Sequence, residues 1–199
     1  MNKKLFVSAL IKFLSGLILV GILVFLPAGT FDYRQAWLLL GILFIPMFIV
    51  GVVMMIKSPE LLKKRLSMRE NESEQKSVIL YSAIMFIAMF VSAGLSCRFN
   101  FLMIPYTGSL IAAAVFLLGY VLWAEVLREN EYLSRTIEVQ ENQKVIDTGL
   151  YGVVRHPMYM ATLLIFLSMP LILGSVIAFL ISLVYLPIIG KRIRNEEEV

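Results

Sequence analysis

Four long, mostly apolar runs, at 5–27, 35–56, 78–97 and 107–127, dominate the sequence. A helix needs roughly 20 mostly apolar residues to cross a bilayer's hydrocarbon core. Inside that core only helices and closed barrels satisfy their own backbone hydrogen bonds, and runs this long select the helix. The chain is therefore expected to be an all-α integral membrane protein. Its composition agrees: 59% of residues are hydrophobic and 16% charged, against about a quarter charged in soluble domains. Two further apolar runs, 158–173 and 175–190, are separated only by Leu173-Gly174-Ser175. They are short for full spans and predict a tight helical hairpin, tilted or incompletely crossing. The expected architecture is four long transmembrane helices plus a C-terminal short helical hairpin, about six membrane helices. Pro46 predicts a kink in the second span.

The opening Met1-Asn2-Lys3-Lys4 has the outline of a secretory leader. The apolar run behind it exceeds the usual leader length, and no clear Ala-x-Ala site follows, so it reads as a retained span. Lys12 is expected to snorkel toward the nearer interface. Basic residues fix an orientation. Of the 18 lysines and arginines, 15 fall before the first run, in 57–77, in 128–157 or after 190. Cytoplasmic loops carry such an excess, which puts both termini in the cytoplasm, in a cytoplasmic membrane of bacterial type. The expected division is a four-span scaffold over 1–127 with a basic loop at 57–77. A polar cytoplasmic segment, the hairpin 158–190 and a polar end then occupy 128–199. Within the basic loop, Ser58-Pro59 looks like a helix start. Leucines alternating with Lys63, Lys64 and Arg65 suggest either a short amphipathic helix on an anionic leaflet or a plain topology-setting loop.

One cysteine, Cys97, and one histidine, His156, exclude an internal disulfide and a multi-histidine metal site. The polar stretch 128–157 is longer than a minimal connector. It closes on Asp147-Thr148-Gly149-Leu150-Tyr151-Gly152-Val153-Val154-Arg155-His156-Pro157-Met158-Tyr159. Gly149 and Gly152 permit tight backbone geometry, and Pro157 suits the first turn of a helix. Arg155 and His156 then stand just ahead of a helix N-terminus, where free N–H groups and the dipole attract an anion. An interfacial anchor is the competing reading of the same pair. Beyond the hairpin lies Lys191-Arg192-Ile193-Arg194-Asn195-Glu196-Glu197-Glu198. Arg192 and Glu196 share a helix face, either as site residues or as a solvated helix end. The hairpin is expected to return this cluster to the face that bears Arg155 and His156.

The run from Gly149 to Tyr159, the hairpin, and Arg192-x-x-x-Glu196-Glu197 resemble the isoprenylcysteine carboxyl methyltransferase family, which is related to the membrane phospholipid N-methyltransferases. The resemblance is strongest over 130–199. It implies S-adenosyl-L-methionine as methyl donor, bound from the cytoplasmic side. Carried onto this chain, it implies cofactor contacts at Lys144, Val145, Gly149, Tyr151, Arg155, His156, Pro157 and Tyr159. It implies catalysis or substrate positioning by Arg192, Glu196 and Glu197. Two departures are visible. Relatives usually continue through a further polar tail, whereas this sequence stops at Val199, which predicts a less closed site or a truncated chain. Many relatives also carry a histidine where this chain has Gln143.

The expected function is a membrane methyltransferase acting on a lipophilic small-molecule, isoprenoid or lipid acceptor, with carboxylate O-methylation favoured by the resemblance. The alternative is phospholipid N-methylation. The expected partners are that substrate and membrane lipids, with no nucleic acid and no metal, and the oligomeric state is left open. A small transporter or structural membrane subunit is the reading from another class. Transporters line their paths with ionisable residues, whereas the spans here hold only Lys12 and Glu125, each near an end.

Overall fold

The computed structural model describes residues 3–66, 73–129 and 148–197. Among them the chain is helical, with no β-strand beyond an isolated antiparallel bridge between Met103 and Ser175. The helices are α1 (Lys3–Ala28), α2 (Arg34–Lys57), α3 (Pro59–Leu66), α4 (Ser73–Phe99), α5 (Tyr106–Glu129), α6 (Pro157–Ile172), α7 (Val176–Ser182) and α8 (Tyr185–Glu197). A short 3-10 turn occupies Gly149–Gly152. Each of the four long runs becomes a helix. Pro46 lies within α2, where it cannot donate to the carbonyl of Ile42. Beside that gap the Tyr120 hydroxyl donates to the carbonyl of Leu43 at 2.8 Å, which joins α5 to α2.

The short amphipathic helix forms: α3 begins at Pro59, and the Leu62 N–H closes onto the Ser58 carbonyl at 3.1 Å. Leu62 is buried while Lys63 is exposed. The hairpin turns at the expected residues, with Gly174 at φ +78°, a conformation open to glycine. Its second arm is longer than its apolar run. After a break at Leu183 and Val184 the helix continues through the charged residues to Glu197, so 176–195 is a fifth helical stretch long and apolar enough to cross a membrane. Lys191, Arg192 and Arg194 lie near the C-terminal end of α8, where the helix dipole favours cations. Polar sequence there does not end the helix. Only α6, with 16 residues, stays short.

Small residues set the packing. A Cβ on Gly94 of α4 would lie 2.5 Å from the Val24 carbonyl oxygen and 3.0 Å from the Ala28 nitrogen, so α1 and α4 meet backbone to backbone. A Cβ on Gly119 of α5 would lie 2.8 Å from Ile165 Cγ1 and 3.2 Å from the Ala161 carbonyl of α6. Between helices in lipid, where apolar burial supplies little drive, such close approach is a main source of association.

The connections at one end of the bundle are tied together. The Ile104 N–H donates to the Gly174 carbonyl at 2.8 Å, and the Val176 N–H donates to the Leu102 carbonyl at 3.1 Å. Tyr33, only 2% exposed, donates its hydroxyl to the Leu173 carbonyl at 2.5 Å. Burial pushes that phenol well above the ordinary tyrosine value, so it remains a donor. Ser175 accepts from the Ala178 N–H as the cap of α7 and pairs with Ser96 Oγ at 2.8 Å.

Replacing Gly94 with leucine is expected to lower the melting temperature in detergent, by the roughly 1–3 kcal/mol that overpacking costs. Gly41→Leu, where nothing lies within 4 Å of the added Cβ, is expected to change stability by less than about 0.5 kcal/mol. Equal losses from the two substitutions would refute the backbone contact between α1 and α4.

Candidate active site at the hairpin ends

The far end of the bundle gathers the polar residues. Pro157 is the first residue of α6 and is buried. His156 precedes it with φ −126°, and its carbonyl accepts from the Tyr159 N–H at 3.1 Å. The helix therefore opens toward Arg155 and His156 with its positive dipole end. The 3-10 turn at Gly149–Gly152 leads into this start. Its first residue, Gly149, has φ +56°. The Glu129 carboxylate fills the space that a Cβ there would take. Glu129 also accepts from the Leu150 N–H at 3.0 Å, which fastens the turn to the end of α5.

The hairpin brings the C-terminal cluster back to this point. Glu197 Oε1 lies 3.0 Å from His156 Nε2 and 3.2 Å from Arg155 Nη1. Tyr159, 5% exposed, accepts a hydrogen bond from Arg192 Nε at 3.3 Å. The His156 and Tyr159 rings are 5.8 Å apart between centroids. Arg155, His156, Tyr159, Arg192 and Glu197 thus form one continuous polar cluster over the start of α6 and the end of α8. Their side chains grade from a mostly solvent-exposed Arg155 to a buried Tyr159. Gly149 and Tyr151 belong to the preceding turn.

Lys144 and Val145 lie outside the described residues, as does the Glu196 side chain, so the expected Arg192–Glu196 pairing lies outside them too. Across the two helices the carboxylate that closes the cluster is Glu197. Two residues of the site were not anticipated. Glu129 stands where a span ends, and nothing in its sequence neighbourhood announces a carboxylate aimed 20 residues downstream. Asn195 lies three residues after Arg192, and among the described residues its side-chain nitrogen is buried without a hydrogen-bond partner. A buried amide left open in this way is a candidate ligand contact. Its spacing from Arg192, on the same helix face, was the available signal.

The arrangement suits an anionic ligand group. Arg155 offers a guanidinium at a helix N-terminus, and Arg192 offers a second one, half-buried and oriented by Tyr159. A shallow apolar groove of about 280 Å³ runs along α6 from Met160 past Leu163, Leu167 and Leu171 to Phe179. Met160 at its start follows Tyr159 in the chain.

The profile of the phospholipid methyltransferase family matches residues 107–199, and that family is related to the isoprenylcysteine carboxyl methyltransferases. The match begins in α5 and takes in the 3-10 turn, the hairpin and the whole polar cluster. It points to a membrane methyltransferase. Neither the curated proteins nor the solved structures give a match to this chain.

The hydrogen bond from His156, with the Arg155 charge added, holds the Glu197 carboxyl below its ordinary value. A carboxyl depressed in the folded state contributes stability above its unfolded pKa and loses it as the pH falls through the folded one. His156 is the only histidine, so a single imidazole resonance reports on the contact. It should shift below the ordinary carboxylate range in the natural chain and lack that acid-range inflection in Glu197→Gln. An unchanged titration in the variant would exclude the pairing.

Proposed function

We propose that this chain, matched over residues 107–199 to the phospholipid methyltransferases, is an S-adenosyl-L-methionine-dependent membrane enzyme that methylates a lipophilic acceptor. The observation that carries this reading is the convergence of Arg155 and His156 at the start of α6 with Arg192 and Glu197 at the end of α8. The chemistry of the donor set fits the cofactor. Arg155 and the α6 N-terminus suit its methionyl carboxylate. The turn at Gly149–Tyr151, together with His156, Pro157 and Tyr159, forms the wall beside it. Lys144 and Val145 complete the set implied by the resemblance. When bound, the cofactor supplies a methyl group activated by a positively charged sulfur. We place this end of the bundle in the cytoplasm because basic residues concentrate there.

The protein's own part is positioning. In-line displacement needs the attacking atom held against the methyl carbon, and orientation alone can supply much of the acceleration. Arg192, held by the Tyr159 hydroxyl, can hold an acceptor carboxylate or phosphate by charge-assisted hydrogen bonds. The groove along α6 receives the apolar tail. A carboxylate acceptor needs no base. An amine acceptor must lose a proton, and Glu196 is the group assigned to take it. The family profile favours this second reading, phospholipid N-methylation, whereas the resemblance of the Arg-His-Pro element favours carboxylate O-methylation.

Calorimetry with S-adenosylhomocysteine in detergent is expected to show binding by the natural chain. Affinity should fall roughly 10- to 100-fold in Arg155→Ala, the loss typical of one charge-assisted hydrogen bond. Absence of binding by folded protein would overturn the reading. Labelled donor supplied to membranes separates the acceptors, because methyl esters release label in base and methylated amines retain it.

A further inference from the structure

A second site lies away from the hairpin, between α1, α2 and α3. There the three helices leave a cleft of about 330 Å³, within the roughly 300–1,000 Å³ range of ligand sites. Its walls are apolar, with Phe6 and Leu10 from α1, Phe48 and Val52 from α2, and Leu66 from α3. Phe13 packs edge-on against Phe44 at 5.6 Å and supports one wall. Gly51 keeps the cleft open, since nothing lies within 4 Å of the position its Cβ would take. Among the described residues Lys12 is the one charged lining residue. Its ammonium donates to the carbonyl of Leu66, the last residue of α3, and among the described residues it forms no ion pair.

A cation in an apolar wall is costly unless an anion reaches it. A backbone carbonyl satisfies one of its three donors and none of its charge. On the other side of Lys12 a second hollow is lined by Lys4 and Ser8, while Lys57 ends α2 and the exposed Lys63 lies midway along α3. The surroundings are basic and the interior is apolar. That combination matches one kind of molecule present in every bilayer, a phospholipid with net negative headgroup charge.

We propose that the cleft between α1, α2 and α3 binds one anionic phospholipid, with an acyl chain against Phe48 and Gly51 and its phosphate on Lys12. Helix α3 is the cover of this site, held by Leu62 beneath it and by Lys12 at its end. The site uses none of the residues of the polar cluster at the hairpin ends and stands whatever those residues do.

The test is native mass spectrometry of the full chain, released from detergent micelles that hold phosphatidylglycerol and phosphatidylcholine with the same acyl chains in equal amounts. The natural chain should retain phosphatidylglycerol about tenfold more than phosphatidylcholine. Lys12→Gln should abolish that preference, and Lys12→Arg, which keeps the charge, should preserve it. Gly51→Leu puts a side chain into the cleft, with nothing within 4 Å of its Cβ, and should reduce retention of both lipids about tenfold. A natural chain without preference overturns the proposal. So does Lys12→Gln or Gly51→Leu retaining phosphatidylglycerol as the natural chain does.

Discussion

The hydrogen bonds that fasten the α6–α7 turn to the segment after α4 constrain where the described side chains of the polar cluster can lie. A turn at the end of a membrane hairpin exposes backbone groups that lipid cannot satisfy. Here Gly174 and Val176 pair with Ile104 and Leu102, while the Tyr33 hydroxyl takes the Leu173 carbonyl. The second arm is thereby held to return along α4 and α6. With the turn fixed, α6 and the α7–α8 arm have little freedom left in register. Their opposite ends must meet, and Arg155 and His156 face Glu197 as a result. The polar cluster is a consequence of a backbone constraint applied at the other end of the bundle.

That constraint works only because the helices can approach closely. Gly94 against α1 and Gly119 against α6 remove the side chains that would hold the axes apart. Buried Ser96, Ser168, Ser175 and Ser182 keep the hairpin's surroundings narrow, and Ser168 and Ser182 bond to carbonyls within their own helices. Small residues thus hold the long arms together, and the turn fixes how far along one another they sit.

Much of this was legible in the sequence. Run length gave the helices, because a bilayer tolerates few other backbones. Gly174 gave the turn, because left-handed backbone favours glycine. Pro157 gave the start of α6. Less legible was the reach of α8. Counting apolar residues stops at Gly190, whereas the helix continues because cations at its C-terminal end agree with its dipole. The cross-helix contacts were least legible. Spacing along one helix suggested Arg192 with Glu196, but a contact between α6 and α8 depends on the rotation of both helices, which no single-helix periodicity contains. Glu129 on the Leu150 N–H escaped for the same reason, since its partner is set by how the chain folds back after α5.

The cluster's electrostatics bear on how it would receive a ligand. Glu197 already neutralises part of Arg155, and its contacts with His156 and Arg155 hold its carboxyl below the ordinary value. An incoming carboxylate therefore meets a guanidinium that is shared, and it must either displace Glu197 or bind the donors Glu197 leaves open. Arg155 is largely exposed, where a lone ion pair contributes little, so displacement costs little. The contact gains strength only when water is excluded around it. A site of this kind favours a ligand that excludes water from the cluster as well as matching its charge. A cofactor that covers the start of α6, together with an acceptor whose tail lies along the α6 groove, meets both conditions, whereas a small free anion meets only the first.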